Sequence, residues 1–540
     1  RGDGAGGFTR VTDTWALDPI TTSTSAIQGF ALGDYDADGD LDVYVLYNGP
    51  NLLLRNDGAG TLTDVTADAG VGDGRWSRGA SFGDFDADGD LDLAVGNYIP
   101  RTGSFFPNHV PVPNALYEND GSGRFTDVAG SRGVEGQGTT NSIVFSDVDR
   151  DADLDLVVCN EFGDTVHGNE IFENDGEGDF VDATARFSAD VEQYCNGVAT
   201  ADWDRDTDLD YYFSALGRNA LLTSSVAVGR AAFTEEAERR GLGLENDACI
   251  PDALANSYGA VFDDFDQDGW TDLYVSHGFI LADPSIFNPL EQRNRLFRNR
   301  GLGQTFLEVS FSARVADQAE SRGSVGADYD GDGDVDLFVK QIEGGLRLHR
   351  NVSPNPGRWL IVELAGTTSN PFAPGAQIEA DFGPFGMVRE HGSQTSYGSA
   401  SPPEVHFGAG TATVADALRV RWPSGIEQQV FDVPTDARVR LVEPGVVITG
   451  GSIAGVVAPG ASVDARLDYD NVTPSVLSFE FSVELLRPDG TIVREATGAQ
   501  LVDGLRSGSV QPTITLPDPL PPGVFWRFTV TDENGGVDQE

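Results

Sequence analysis

The sequence predicts an all-β fold built from repeated units, and three observations carry that reading. A nine-residue aspartate pattern recurs between Asp34 and Asp336. Short apolar runs flank every copy, separated by glycine-rich turns. The composition, with 66 glycines, 27 prolines and 39% hydrophobic residues, suits many short strands joined by tight turns. At 540 residues the chain exceeds what one core organises, so more than one domain is expected.

The repeated pattern is DxDxDGxxD, with tolerance at the glycine. Its copies begin at Asp34, Asp84, Asp147, Asp202, Asp264 and Asp328, at spacings of 50, 63, 55, 62 and 64 residues. Before each lies a short run such as Gly29-Phe30-Ala31-Leu32, and after it an apolar strand such as Val43-Tyr44-Val45-Leu46. A third strand ends at asparagine in most units: Asn56, Asn119, Asn174, Asn299 and Asn351. The fourth unit departs, reading Leu221-Leu222-Thr223. A glycine-rich turn then leads to a fourth strand, as in Leu62–Val65 and Phe125–Val128. Four strands in each unit of this length make a β-propeller blade.

The segment Gly2–Thr12 reads as the turn and fourth strand of a blade, and the last unit lacks that strand. Phe8–Thr12 is therefore expected to close a ring of six blades. Seven is the alternative if the chain holds a further, degenerate unit or if Trp359–Leu364 adds a strand. The propeller is expected over residues 1–351.

Alternating aspartates on a tight turn are what a hard cation requires. Positions 1, 3, 5 and 9 offer carboxylates, position 7 its backbone carbonyl, and glycine at position 6 permits the bend. The first loop supplies Asp34, Asp36, Asp38, Asp40 and Asp42, and the second Asp84, Asp86, Asp88, Asp90 and Asp92. The third supplies Asp147, Asp149, Asp151, Asp153 and Asp155, and the fourth Asp202, Asp204, Asp206, Asp208 and Asp210. The fifth supplies Asp264, Asp266, Asp268, Asp272 and the carbonyl of Trp270; the sixth supplies Asp328, Asp330, Asp332, Asp334 and Asp336. Each close carboxylate pair repels by up to about 4 kcal/mol at an effective dielectric near 20, which a bound cation reverses. All-oxygen, carboxylate-rich donors favour calcium over zinc, copper or magnesium, so up to six Ca2+ ions are expected. Ala152 and Thr207 replace the glycine in loops three and four, which are expected to bind most weakly. An EF-hand does not fit, because no glutamate stands at position 12 and strands flank the loops.

These repeats resemble the FG-GAP or VCBS type found in integrin α-subunit propellers and in many secreted bacterial proteins. Past Arg358 the pattern changes. The string RWLIVEL from Arg358, Ser369-Asn370, Gly375-Ala376, Val405-His406-Phe407-Gly408 and Trp422-Pro423-Ser424-Gly425 together resemble an ASPIC and UnbV domain, over residues 356–445. Two stretches depart from that pattern, Pro371–Pro374 and Ser393–Ser401. With the repeats, the chain resembles the cartilage acidic protein family and its bacterial relatives. The resemblance implies an extracellular, calcium-binding matrix or adhesion role with no catalytic residues to carry over. Residues 452–540 form a third block. Phe479, Phe481, Val483 and Leu485 alternate with polar residues, as do Val524, Trp526, Phe528 and Val530, around a turn at Pro488-Asp489-Gly490. An immunoglobulin-like sandwich is expected there.

With 86 acidic against 35 basic residues, a formal charge of -51 disfavours nucleic acid and anionic membrane as partners. No apolar run is long enough to span a bilayer. The partners expected are an extracellular protein or glycan, or copies of the chain itself, with the protein secreted to the outside or the cell surface. The rival readings are a structural subunit of a surface layer or filament and a propeller enzyme acting on extracellular polysaccharide. No HExxH motif stands in the chain and its six histidines are scattered, so no enzyme is expected. Cys159, in an apolar strand pattern, is expected to be a buried free thiol, while Cys195 and Cys249 lie where they could pair across neighbouring units. Arg1-Gly2-Asp3 is already explained as part of a repeat turn, and His406 is read as a hydrogen-bonded structural residue.

Overall fold

The computed structural model describes residues 26–99, 111–225, 232–244, 254–278, 292–354 except 302 and 343, and 357–539 with gaps at 393–395, 455–461, 473–476, 487–491, 503–505, 516–524, 533 and 535. Phe8–Thr12, Arg1-Gly2-Asp3, Cys249 and the Pro488–Gly490 turn lie outside these residues. The fold is all-β, with helix confined among the described residues to the single turns Thr66–Ala69, Ala129–Arg132 and Ala237–Arg240.

Each repeat forms one antiparallel sheet in sequence order. The first joins β1 (Ile27–Gly33), β2 (Asp42–Tyr47), β3 (Leu52–Asn56) and β4 (Leu62–Asp64). The second joins β5 (Ser77–Gly83), β6 (Asp92–Asn97), β7 (Ala115–Asn119) and β8 (Phe125–Asp127). The third joins β9 (Thr139–Ser146), β10 (Asp155–Glu161), β11 (Glu170–Asn174) and β12 (Phe180–Asp182). The fourth joins β13 (Tyr194–Ala201), β14 (Asp210–Leu216), β15 (Ala220–Ser224) and β16 (Phe233–Glu235). The fifth joins β17 (Ser257–Asp263), β18 (Asp272–His277), β19 (Arg295–Arg298) and β20 (Leu307–Glu308). The sixth has three strands, β21 (Ser321–Ala327), β22 (Asp336–Gln341) and β23 (Gly345–His349).

Second strands such as β6 and β18 are buried along their whole length, because sheets cover both of their faces. The leading strands β1, β5, β9, β13, β17 and β21 pack each against the next. Small residues allow that approach: a Cβ on Gly79 would stand 2.7 Å from the Ser142 Cα of the neighbouring sheet.

A side-chain staple repeats between sheets. The Asn119 amide donates to the carbonyl of Leu91 in its own loop and to that of Tyr35 in the preceding loop. Asn174 bridges Leu154 and Phe85, Asn299 bridges Thr271 and Trp203, and Asn351 bridges Val335 and Phe265 in the same way. The fourth unit has Ser224 instead, whose Oγ is buried without a hydrogen-bond partner. At that one junction, between sheets three and four, the chain carries a disulfide from Cys159 in β10 to Cys195 in β13, with Cα atoms 5.5 Å apart. The expected free thiol at Cys159 is thereby corrected, and Cys195 is not available to Cys249. The hydrophobic pattern around Cys159 reported burial correctly, but it carried no information about which strand packs beside it.

The second module has two facing sheets. One orders β27 (Val405–Gly410), β24 (Arg358–Ala365) and β30 (Ala437–Val442); the other orders β26 (Gly386–Glu390), β25 (Gln377–Asp381), β28 (Val414–Arg421) and β29 (Glu427–Pro434). Leu360, Val362, Ile378, Phe407, Leu418 and Trp422 fill the space between them. Trp359–Leu364 thus belongs to this module, which removes the seventh-blade alternative that rested on it. The third block also has two sheets. One is β31 (Val446–Ala454), β32 (Ser462–Asn471), β35 (Ser507–Val510) and β36 (Thr513–Thr515); the other is β34 (Ile492–Val502), β33 (Leu477–Leu486), β37 (Phe525–Asp532) and β38 (Val537–Gln539). Phe479, Val483, Leu485, Phe528 and Val530 are buried there, as their alternation predicts.

Candidate functional site

The six aspartate loops connect the first and second strands of the six sheets. In loop one, Asp34 accepts hydrogen bonds from the backbone N–H groups of Asp38 (3.0 Å) and Gly39 (2.9 Å), which holds the turn closed. Asp42 accepts from the N–H of Tyr35 (3.2 Å) and of Asn56 (2.7 Å), tying the loop to the third strand. Asp38 accepts from the N–H of Asp40. The remaining loops repeat this arrangement, with Asp84 and Asp92, Asp147 and Asp155, Asp202 and Asp210, and Asp328 and Asp336 in the corresponding roles. In the fifth, Asp264 accepts from Asp268 and Gly269, and Asp272 from Asn299.

The third position is different. One buried carboxylate oxygen of Asp36, Asp86, Asp204, Asp266 and Asp330, and both of Asp149, has no hydrogen-bond partner. Burying an anionic oxygen unpaired is costly, so its recurrence at one position of all six loops fits a cation-binding role. Ligand atoms of Asp34, Asp36 and Asp42 lie within 4.8 Å of one another, as do those of Asp84, Asp86 and Asp92, of Asp147, Asp149 and Asp155, and of Asp264, Asp266 and Asp272. In loop four the converging set is Asp202, Asp204 and Asp206. Positions 1, 3 and 9 thus form the usual cluster. Position 5, read from the sequence as an equal ligand, joins it only in the fourth loop among these five sets. The donors are all carboxylate oxygens, a set that suits a hard divalent ion.

The backbone conformation explains a residue pattern that the spacing left unread. Position 4 takes positive φ in every loop, at Ala37 (54°), Ala87 (56°), Arg150 (64°), Arg205 (64°), Gln267 (56°) and Gly331 (76°). Ala152 (84°) and Thr207 (71°) adopt the left-handed conformation that Gly39 has at position 6. In loops three, four and five the side chain at position 4 reaches the next loop. Arg150 pairs with Asp208 at 3.0 Å, Arg205 lies over the Trp270 ring at 3.6 Å, and Gln267 donates to Asp334 at 2.8 Å. The position 7 side chains Asp208, Trp270 and Asp334 therefore link neighbouring loops.

Burial raises the pKa values of several first and ninth carboxylates, and like charges add to it. Asp34 is pushed up to about 6, Asp84 and Asp336 to about 7, Asp42 to about 8 and Asp92 to about 9. Without a cation the folded chain holds protons that the unfolded chain releases near pH 4. That contribution to stability is full below the unfolded value and is lost as pH rises through the folded values. The metal-free protein is expected to melt at steadily lower temperature between about pH 6 and pH 9, and excess divalent cation is expected to flatten this slope. Thermal melts across that window, with chelator and with cation, measure both.

The second module sits on this loop face. Asn370 donates to the Asp34 carbonyl at 2.6 Å. Glu390 accepts from the Asp147 N–H at 3.1 Å, and Arg421 pairs with the Asp147 carboxylate at 3.1 Å. The Val388 N–H reaches Asp202 at 3.2 Å, Arg389 pairs with Asp263 at 3.5 Å, and Arg438 with Asp328 at 3.5 Å. The first carboxylates of loops three, four and six thus also serve Arg421, the Val388 N–H and Arg438. His406 is buried between Asp263 and the Gly333 carbonyl, both at 3.1 Å. Burial alone would lower its pKa, but the bond to Asp263 and the nearby carboxylates raise it. A short segment of the same module, Ser396–Ser399, touches several leading strands. Ser396 accepts from the Ala260 N–H, Tyr397 packs edge-on against Tyr258, Gly398 abuts Gly29 of β1, and Ser399 abuts Gly323 of β21. One segment thereby contacts the first and the sixth sheet together.

The sequence reading missed these bridging residues, and also an asparagine five positions before the end of the third strand. Asn51, Asn114, Asn169, Asn219 and Asn294 each accept from the N–H at or next to the end of the second strand. Their constant offset from Asn56, Asn119, Asn174, Ser224 and Asn299 was a readable signal. Nothing local marks Glu390 or Arg421 as loop partners.

Comparison with known proteins agrees with this layout. Residues 34–95 and 264–339 match the FG-GAP-like repeat, and residues 366–447 match the family described as ASPIC and UnbV. Cartilage acidic protein 1 of Xenopus tropicalis is 27% identical over 501 residues, covering 77% of this chain and 74% of that protein. The Homo sapiens protein of the same name is 28% identical over 502 residues, covering 77% and 72%. Among solved structures, a β-glucuronidase from glycoside hydrolase family 2 aligns at a TM-score of 0.16 and 13% identity over 18% of this chain and 12% of that one, too slight a likeness to bear on the fold. The chain carries FG-GAP-like repeats followed by an ASPIC and UnbV domain, and over most of its length it is similar to cartilage acidic protein 1.

Proposed function

We propose that the chain is a secreted, calcium-binding protein that holds partners outside the cell and performs no catalysis. The observation that carries the reading is the buried, unpartnered carboxylate oxygen at the third position of all six loops. Calcium bound there would neutralise the converging carboxylates and clip the hairpin that opens each sheet. In this reading the six sheets are the blades of a propeller. The asparagine staples, the packed leading strands and the contact of Ser396–Ser399 with both β1 and β21 support that arrangement. The two sheets of the third block suit an immunoglobulin-like sandwich. Secretion is supported by the buried disulfide, a bond that persists in oxidising compartments, and by the relatives, whose name associates them with cartilage. Among the described residues, no helix is long and apolar enough to cross a membrane. The non-catalytic reading is supported by the way the buried titratable groups at the module junction, Asp263, Glu390 and His406, are tied to backbone or to charged neighbours.

Calcium titration of metal-stripped protein by calorimetry or equilibrium dialysis tests this reading. Up to six ions per chain are expected, with loops three and four filling last. Asp86→Asn should remove one site and leave the others, since the loops are separate in sequence. Absence of saturable calcium binding at millimolar concentration would sink the proposal.

A further inference from the structure

The aspartate loops do not account for a second polar feature, a cavity of about 340 Å³ beside the sheet β26-β25-β28-β29. Its position follows from strand register. Gln377 on β25 stands opposite Arg421 on β28, which stands opposite Glu427 on β29; one step along, Glu379 stands opposite Arg419, and Arg419 opposite Gln429. Cross-strand partners and residues two apart share a face, so these six side chains form a two-by-three polar grid. The alternate residues Ile378, Leu418 and Val420 point to the module core. The grid is walled by Arg150 of the third aspartate loop and by Asp538 of β38, whose carboxylate accepts from the Gln429 N–H at 3.0 Å. Three distant segments of the chain therefore meet around one cavity, a common location for a binding site.

The chemistry of the grid restricts what fits. No aromatic or extended apolar surface lines it, which disfavours a lipid or an apolar peptide anchor. Amide, guanidinium and carboxylate groups alternate over a few ångströms, offering donors and acceptors side by side. A sugar, whose hydroxyls each donate and accept, matches that alternation. The three lining arginines are matched by Glu379, Glu427 and Asp538, and Arg150 and Arg421 are held by Asp208 and Asp147, so Arg419 is the arginine placed to meet an anion. Arg419 is the most open of them, with 44% of its side chain exposed and one hydrogen bond, to Glu379 at 2.6 Å. Its planar fork retains donors suited to a sugar carboxylate.

We propose that this cavity binds an acidic oligosaccharide, with Arg419 receiving a uronate carboxylate and Gln429 addressing a hydroxyl. The site borders the third aspartate loop through Arg150 and the Arg421–Asp147 pair, but its proposed contacts are not the loop carboxylates, and its occupant is distinct from calcium. Calorimetric titration of the full chain in calcium-containing buffer, with a hexasaccharide of alternating glucuronate and N-acetylglucosamine as the probe, tests it. Saturable binding is expected, weakened about tenfold or more in Arg419→Ala, in keeping with loss of a charge-assisted hydrogen bond. The carboxyl-reduced hexasaccharide should bind the wild type more weakly by a similar factor. Because Arg419 is exposed, the variant should melt as the wild type does, and Gln429→Ala supplies a second variant expected to weaken binding. No saturable binding by the wild type, equal binding by Arg419→Ala, or equal binding of the carboxyl-reduced sugar would each overturn the proposal.

Discussion

Removal of divalent cations is expected to lower the melting temperature of the six-sheet region by about 15 °C or more. A ligand present at a hundred times its dissociation constant stabilises the folded state by about 2.7 kcal/mol, and six such sites would together contribute about 16 kcal/mol. A domain of this size shifts by roughly 1–2 °C per kcal/mol, somewhat less than smaller domains do. Differential scanning calorimetry with calcium and with excess chelator, at fixed ionic strength, reads the effect. A single-loop variant sharpens it, because the sign of its effect depends on the ion. Asp86→Asn should cost about 2–3 kcal/mol in calcium, where it removes a ligand. In chelator the same change removes a buried charge that repels Asp88 and Glu118, so it should be neutral or stabilising. A transition that ignores chelation would mean that the loops stand without ions, and the calcium reading would fall with it.

The second large effect is expected at the junction of sheets three and four. Cys159 and Cys195 are 36 residues apart in sequence, and closing a loop of that length in the unfolded chain is worth about 4 kcal/mol on chain-entropy grounds. The double variant Cys159→Ser/Cys195→Ser should therefore lose about 3–4 kcal/mol in urea denaturation. This junction also lacks the asparagine staple that joins its neighbours. Ser224→Asn would set an amide where the other units place theirs, within the pattern that reaches Leu209 in the same loop and Val148 in the preceding one. In the double variant it should restore about 1 kcal/mol, the typical net worth of such hydrogen bonds. If Ser224→Asn changes nothing in either background, the disulfide is not a substitute for the staple. If the double variant unfolds at the wild-type midpoint, the junction is held by packing alone.

The two effects differ in what they ask of the fold. Calcium, in the proposed reading, would act on six homologous hairpins, each closed by its own residues, such as the bonds from Asp38 and Gly39 to Asp34. The disulfide acts on one junction between units whose sequences say nothing about their separation. The pairing of Arg421 with Asp147, of the Val388 N–H with Asp202 and of Arg438 with Asp328 adds a third kind of contact, in which the second module shares carboxylates with three aspartate loops.

The sequence by itself determined the repeat, its strands and its aspartates. A β-strand alternates with period two and a cation loop needs oxygen donors at fixed short offsets, so both are written in local residue order. That is why Asp36, Asp86, Asp149, Asp204, Asp266 and Asp330 were identified before their buried oxygens were seen. The asparagine offset ending at Asn56 was equally local, and its first member, Asn51, was readable though unread. Only the tertiary structure decided which carboxylates converge, because convergence depends on the left-handed turn at position 4 as well as on spacing. It also decided that Cys159 faces Cys195, that Glu390, Arg421 and Asn370 cap loops hundreds of residues upstream, and that Ser396–Ser399 joins the first sheet to the sixth. Such contacts arise from how whole sheets pack, and packing between surfaces distant in sequence leaves no period or offset in the residues that make it.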